Sequence, residues 1–465
     1  MQQAKQVTPP KKSSIRIGAG SAWWGDRVEP AALSAEKGQL DYLCFETMAE
    51  ATISAAQVRG RRDPSFAGYD TYLDDRMRAV LPHCIPQGTR IISNQGWINP
   101  DAAAKRTIEL LADMGFHGVK VASINGSLIT ERVLQLTDKI LENGQSTSTL
   151  ASSMVSAEVY MGAEPIVQAL RDGAQIVFTG RVADPSLFVA PMMYEFGWDA
   201  LDHDKVGAGS AIGHLLECGA QATGGYFSDP GFKDVSRPWD LGFPIAQVES
   251  DGSVVLSKVA GTGGAITLQT VKEQMLYEVH DPANYITPDV VVDLTQARLE
   301  QVASDQVKVT GLTGKPRTPT LKVSIGCIEG FIGEDMFFYA GPGALRRAQL
   351  AKRILQERFK IVQLGTEGQG EEIRIDFLGM NAIHGEATPA HAPEPYELAV
   401  RVAARTATRE QAVKVGREVD GMAVSGVAHT GKRVPFQERV REIIGVWSSL
   451  VPRDQVQASV SYWES

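Results

Sequence analysis

Between residue 15 and about residue 191, short β-branched or apolar runs alternate with longer stretches of helical periodicity, and this alternation constrains the fold more than any other feature. Strands separated by helices pair in parallel, with the helices laid over the sheet. The runs fall at residues 15–18, 41–46, 90–93, 119–122 and 175–179. Asn99 followed by Pro100 supplies a cap and a first helical residue for a helix over 102–114. A second helical pattern covers 159–170. The expectation is an α/β class with a parallel sheet in the N-terminal domain, open rather than closed into a barrel.

From about residue 197 to residue 311 glycine becomes dense and hairpin-like units appear, as at 248–255. Periodicity resumes at 321 and ends in a strand-like run at 456–462. The spacing of these later runs predicts a smaller α+β C-terminal domain, a sandwich of antiparallel strands with two helices on one face. The expected organisation is a disordered start over 1–13, an α/β domain over 14–312 with its glycine-rich middle region, and the α+β sandwich over 313–465.

Hydrophobic residues make up 43% of the 465 and charged ones 22%, the composition of a soluble globular protein of two or more domains. A formal charge of −9 argues against nucleic acid or an anionic membrane surface as partner, since both need clustered positive charge. Cys44, Cys84, Cys218 and Cys327 form no C-x-x-C pair, which leaves reduced thiols and no readable metal or redox motif. The N-terminus has no apolar run of the secretory kind, so a cytoplasmic location is expected.

Ligands of parallel sheets bind outside the carboxyl ends of the strands. The loops expected there carry Asp26 and Arg27 after Trp23 and Trp24, then Glu46, Asn94, and Arg181 with Asp184. Arg181 offers a planar fork for a substrate carboxylate or phosphate, and Asp184 either holds it, acts as a base, or caps the helix that begins at Pro185. The tryptophans read as core or pocket wall. Trp23 occupies the place of the third glycine of a dinucleotide fingerprint, so a nicotinamide cofactor is not expected, and no other cofactor is firmly implied.

Residues 213–226 concentrate the remaining chemistry, because His214, Glu217, Cys218, Gln221 and Thr223 are bracketed by Gly213, Gly219, Gly224 and Gly225. At helical spacing His214 faces both Glu217 and Cys218. Acid/base work by Glu217 or His214, or nucleophilic work by Cys218, is the chemistry such a set carries, and the further ligand spacing of a zinc site is absent. Gln221, Thr223 and Gly224 are candidate substrate contacts. Gly261, Gly263 and Gly264 could form a backbone nest for an anion, or a hairpin corner.

Residues 18–27, 94–96 with 99–100, 180–184, 213–225, 261–264 and 273–278, in that order, resemble the acyclic terpene utilisation protein AtuA family over about residues 14–450. The resemblance implies a setting in the catabolism of acyclic terpenes or other branched acids. Longer members carry an additional ferredoxin-like domain, so a separately encoded small subunit of that kind is an expected partner. The leading expectation is a lyase- or hydratase-like enzyme acting on a carboxylate or acyl-CoA intermediate by acid/base chemistry, with Glu217, His214, Cys218 and Asp184 as candidate catalytic groups. A CoA thioester is an allowed form of substrate. The alternative is a noncatalytic binding or scaffold subunit of a catabolic assembly. The glycine-rich middle further suggests a homo-oligomer.

Overall fold

The computed structural model describes residues 12–364, 372–389, 393–432 and 439–465, so most of the expected disordered start lies outside the described residues. The chain divides into two compact units, one comprising residues up to Gly326 together with Val446–Ser465, the other Cys327–Gly445.

Along the first unit β1 (Ser14–Ser21), α1 (Glu29–Lys37) and β2 (Tyr42–Phe45) lead to α2 (Glu50–Arg62), α3 (Leu73–Gln87) and β3 (Arg90–Ser93). Next come α4 (Pro100–Asp113), β4 (Lys120–Asn125), α5 (Val133–Leu136), β5 (Met154–Val159), α6 (Glu164–Arg171) and β6 (Ile176–Thr179). Then follow α7 (Ser186–Phe196), α8 (His203–Glu217), the hairpin of β7 (Pro244–Glu249) and β8 (Val254–Lys258), and α9 (Leu268–Leu276).

Strands β1, β2, β3, β6 and β4 lie side by side in that order and pair in parallel. The sheet is open, extended antiparallel on the β1 side by β7, β8, Gln306–Thr310 and Arg298–Ala303. Successive residues of β2 alternate between two cores. Tyr42 and Cys44 pack with α6, α7 and α8, while Leu43 and Phe45 pack with α1, α3 and α4. Burial on both faces explains why these strands are continuous apolar runs rather than alternating ones.

Two sequence expectations require correction. The pattern at 159–170 is not one helix: Val159 closes β5 and α6 begins only at Glu164, with Pro165 in its first turn. The terminal strand, Ser459–Glu464, does not join the C-terminal sandwich but pairs antiparallel with β4 at the edge of the first sheet. Its alternating pattern specifies a strand and leaves the partner to tertiary geometry.

In the second unit Glu397–Thr406 pairs antiparallel with Glu372–Leu378 and with the stretch from Phe331 to Ala340. Helices Ala344–Ile361 and Arg409–Ser425 bury Leu355, Phe359, Val415 and Val419 against one face of that sheet. Among the described residues no helix is long and apolar enough to cross a membrane.

Helix α8 approaches the start of α7 at Gly213, where an added methyl would lie 2.7 Å from the carbonyl oxygen and 2.9 Å from the Cα of Pro185. This approach sets the last turn of α8 against the segment that carries Asp184. Because backbone, not a flexible side chain, would have to move, Gly213→Ala is expected to cost about 1–3 kcal/mol. An unchanged denaturation midpoint would contradict so tight an approach.

Candidate functional site

The carboxyl ends of the neighbouring strands β2, β3 and β6 deliver Glu46, Asn94 and Arg181 to one place. Asn94 is fully buried; its Oδ1 accepts from Thr47 N at 2.8 Å and its Nδ2 donates to Glu46 Oε1 at 3.0 Å. That orientation makes it a positioning group for Glu46 rather than a substrate contact. Glu46 Oε1 also accepts from Met48 N at 2.6 Å. Burial and the nearby Asp184 nonetheless push Glu46 up to about 8, against the pull of Arg181.

Arg181 is 2% exposed. One terminal nitrogen donates to the Met48 carbonyl, the other to Asp184 Oδ1 at 2.5 Å, and the guanidinium lies 4.0 Å from the ring centroid of Tyr160. Both terminal nitrogens of the expected substrate clamp are thus engaged within the protein, while Nε has no partner. Arg181 instead holds Asp184, which is half-exposed, and the helix-cap alternative for Asp184 gives way to this ion pair.

Asp184 opens into a cavity of about 280 Å³ walled by Tyr160, Tyr285, Lys322 and apolar residues that include Pro185, Ile286 and Leu450. Tyr160 donates its hydroxyl to Glu50 Oε1 at 2.6 Å, and Lys322 Nζ lies 3.3 Å from the same oxygen. Burial pushes Glu50 up, yet the Tyr160 hydroxyl, Arg181 and Lys322 outweigh it and hold the carboxyl at about 2. Glu50 also begins α2, where the helix dipole favours a negative charge.

Glu217 sits in the opposite electrostatic position, in the last turn of α8 and 6% exposed. Burial, then Asp184 and Glu278, raise its carboxyl well above the ordinary range. His214 Nδ1 is 2.7 Å from Glu217 Oε1, and burial lowers the imidazole to about 4. With Glu217 raised and His214 lowered, the neutral form of the pair is favoured, in which the Glu217 carboxyl donates to Nδ1 and Nε2 carries the other proton. Nε2 faces the backbone of Gln274 and Met275 on α9, without a well-aligned hydrogen bond. The imidazole packs on Tyr285, a wall of the cavity, with ring centroids 5.2 Å apart. Burial, first among several causes, raises Asp184, while Arg181 opposes the rise.

The other sequence candidates fall into place less directly. Cys218 caps the end of α8, and burial raises its thiol, which disfavours a nucleophilic thiolate. Thr223 is buried, donating to the Gly242 carbonyl at 2.7 Å. Gly224 adopts φ +109° in a turn that a side chain would disrupt through Val235. The anion-nest reading of Gly261, Gly263 and Gly264 is corrected at the last two by their backbone: Gly263 N donates to Asp240 O at 2.7 Å and Gly264 N to Ser236 O at 2.6 Å. A methyl at Gly263 would run into the Arg237 carbonyl oxygen and one at Gly264 into the Thr223 carbonyl oxygen, so these two serve close packing, whereas Gly261 has open space around it and a φ of +82°.

Asp26 accepts from Ala22 N and Arg27 N, shaping its own loop beside Gly219. Arg27 lines a different cavity, with Trp239 and Thr262. Trp23 and Trp24 are exposed rather than core. Sequence reasoning misses Tyr160, which falls within the helical pattern expected at 159–170, and Lys322; the bond from Tyr160 N to Lys322 O at 3.0 Å joins them. Among the described residues no group of three or more His, Cys, Asp or Glu side chains is arranged to hold a metal ion.

The model of the acyclic terpene utilisation family protein AtuA matches residues 15–462. The chain belongs to the AtuA family. No curated protein and no solved structure matches it.

Behind Arg181, Glu158 is 1% exposed, and burial pushes it up to about 7 despite Ser127, Gln57 and Arg181. A carboxyl raised on folding stabilises the fold below its unfolded value of 4.5, and that stability is lost as pH rises through 7. Glu158→Gln is expected to flatten the fall in melting temperature across this interval. An equally steep fall in the variant would contradict the buried protonated carboxyl.

Proposed function

We propose that this AtuA family member is an acid/base enzyme of the hydratase or lyase kind, acting on a small branched carboxylate or its thioester. The reading rests on one observation: two carboxyl groups tuned in opposite directions, the buried Glu217 and the part-exposed Glu50, both act on Asp184 beside a mostly apolar cavity. Asp184, oriented by Arg181, removes the proton next to the substrate carbonyl. The electron pair released forms the carbon–carbon double bond as the hydroxyl on the neighbouring carbon departs. That hydroxyl leaves as water with a proton from the His214–Glu217 pair, delivered at the Tyr285 wall, and Nδ1 is replenished from Glu217. Lys322 meets the anionic or carbonyl end of the substrate. The apolar wall suits a branched alkyl group, in keeping with the family description. A cavity of about 280 Å³ takes the acyl end of a thioester and leaves the nucleotide outside.

The test is turnover of a panel of small branched acids and their CoA thioesters, with and without a small ferredoxin-like subunit. Glu217→Gln preserves the neutral shape of the protonated carboxyl but cannot transfer its proton. Turnover should fall roughly 10²- to 10⁴-fold with little change in melting temperature. Full activity in Glu217→Gln would remove the dyad from the chemistry. Inactivity across the panel, with specific capture of a neighbouring catabolic enzyme, would favour the scaffold reading.

A further inference from the structure

Most polar side chains that line the cavity at Asp184 are already engaged inside the protein. Tyr160 donates to Glu50, Thr287 donates its hydroxyl to the Val290 carbonyl at 2.8 Å, and Thr318 donates its own to the Thr320 carbonyl at 2.8 Å. Asp184 accepts from Arg181, and Lys322 is paired with Glu50. Among the described residues the lining side-chain hydroxyls without a hydrogen bond are those of Tyr285 and Thr320, and neither is sealed from solvent. Their surroundings differ. Tyr285 is half-buried, and with Ile286 it forms a short strand that pairs antiparallel with Val291 and Val292, which fixes the position of the ring. The ring packs against His214 with centroids 5.2 Å apart, an apolar contact that leaves the hydroxyl available. Burial, then the charges of Glu217 and Asp184, raise the phenol well above its ordinary value. Both carboxyl groups act on it because its hydroxyl end stands near them. A phenol so placed keeps its proton through the neutral range and is ready to donate it in a hydrogen bond.

We propose that Tyr285 is a catalytic residue: its hydroxyl binds the carbonyl oxygen of the substrate and stabilises the negative charge that gathers there as Asp184 takes the neighbouring proton. This role rests on the acid/base reading above. The C–H bond breaks, its proton passes to the Asp184 carboxylate, and its electron pair moves onto the carbonyl oxygen before forming the double bond. The phenol proton stays on Tyr285 throughout, shared in a hydrogen bond that strengthens as the charge grows. A carbonyl oxygen accepts two hydrogen bonds, so Lys322 can supply the second. Thr320 offers an alcohol, a weaker acid than a phenol and so a weaker donor to a developing anion.

Solvent exchange of the α-proton of a branched acyl thioester, followed by proton nuclear magnetic resonance on the full chain, tests this role. Tyr285→Phe keeps the ring against His214 and removes only the hydroxyl, so the melting temperature should hold while exchange slows about 10²-fold. Calorimetry supplies a readout apart from activity. Isovalerate, which resembles the ground state, should bind the variant nearly as well as the wild type, whereas the nitronate of its nitro analogue, which carries the charge of the enolate, should bind about 10²-fold more weakly. Thr320→Val is the comparison, because a Thr320 donor would move both effects to that variant and overturn the assignment. Exchange that proceeds in the wild type and is undiminished in Tyr285→Phe, or equal losses of isovalerate and nitronate binding, would overturn it while the acid/base reading stands. No exchange by the wild type would remove that reading, and the role of Tyr285 with it.

Discussion

Arg181→Leu is expected to lower stability by about 1–3 kcal/mol, the cost of leaving a part-exposed carboxylate without the buried cation that pairs with it. The guanidinium is the positive group common to Asp184, Glu46 and Glu50, and the first of these bonds to it directly. Leucine would fill much of the volume but strand Asp184 and leave the Met48 carbonyl without its donor. The loss should shrink in acid, where Asp184 takes up a proton and no longer needs a cation. Denaturant midpoints at pH 5 and pH 8 check both the size and the sign. A loss below about 1 kcal/mol at pH 8 would mean that the pair contributes no more than an exposed one.

Asp184→Asn separates chemistry from folding at the same spot. The asparagine Oδ1 can still accept from Arg181, but the buried guanidinium loses its directly bonded anion, so a stability loss of about 1–3 kcal/mol is expected while the fold persists, and the side chain can no longer take a proton. Turnover on any substrate found in the panel is expected to fall roughly 10²- to 10⁴-fold. Since Asp184 is raised by burial, the acid limb of the wild-type pH–rate profile should lie above the ordinary carboxylate range. A profile without that limb, or normal turnover in the variant, would assign the base elsewhere.

Local chemistry was legible where one segment carries the whole instruction. Arg90–Ser93 is a buried strand because the run is short and apolar, and Asn99 caps α4, accepting from Ala102 N, because that geometry needs only neighbouring residues. The His214–Glu217 pair follows equally from helical spacing. Whatever depends on distant partners was not legible. Glu50, Tyr160 and Lys322 come from three separate stretches, and their shared contacts exist only once β5 lies beside the strand that begins at Thr320. The direction of each pKa was equally hidden, because Glu50 and Glu217 are the same residue type and differ only in helix end, burial and neighbours. Gly263 and Gly264 illustrate the reverse error, since a glycine that admits a ligand and one that admits a neighbouring backbone look alike in sequence.

Exchange of the substrate's α-proton with solvent addresses proton abstraction by Asp184 without requiring the full reaction to be known. A branched acyl thioester incubated in deuterium oxide with wild-type protein, and followed by proton nuclear magnetic resonance, should lose its α-proton signal. With Asp184→Asn the signal should persist at a rate at least about 10²-fold slower. Equal exchange by the two proteins, or none with wild type across the branched acids and thioesters of the panel, would contradict the account.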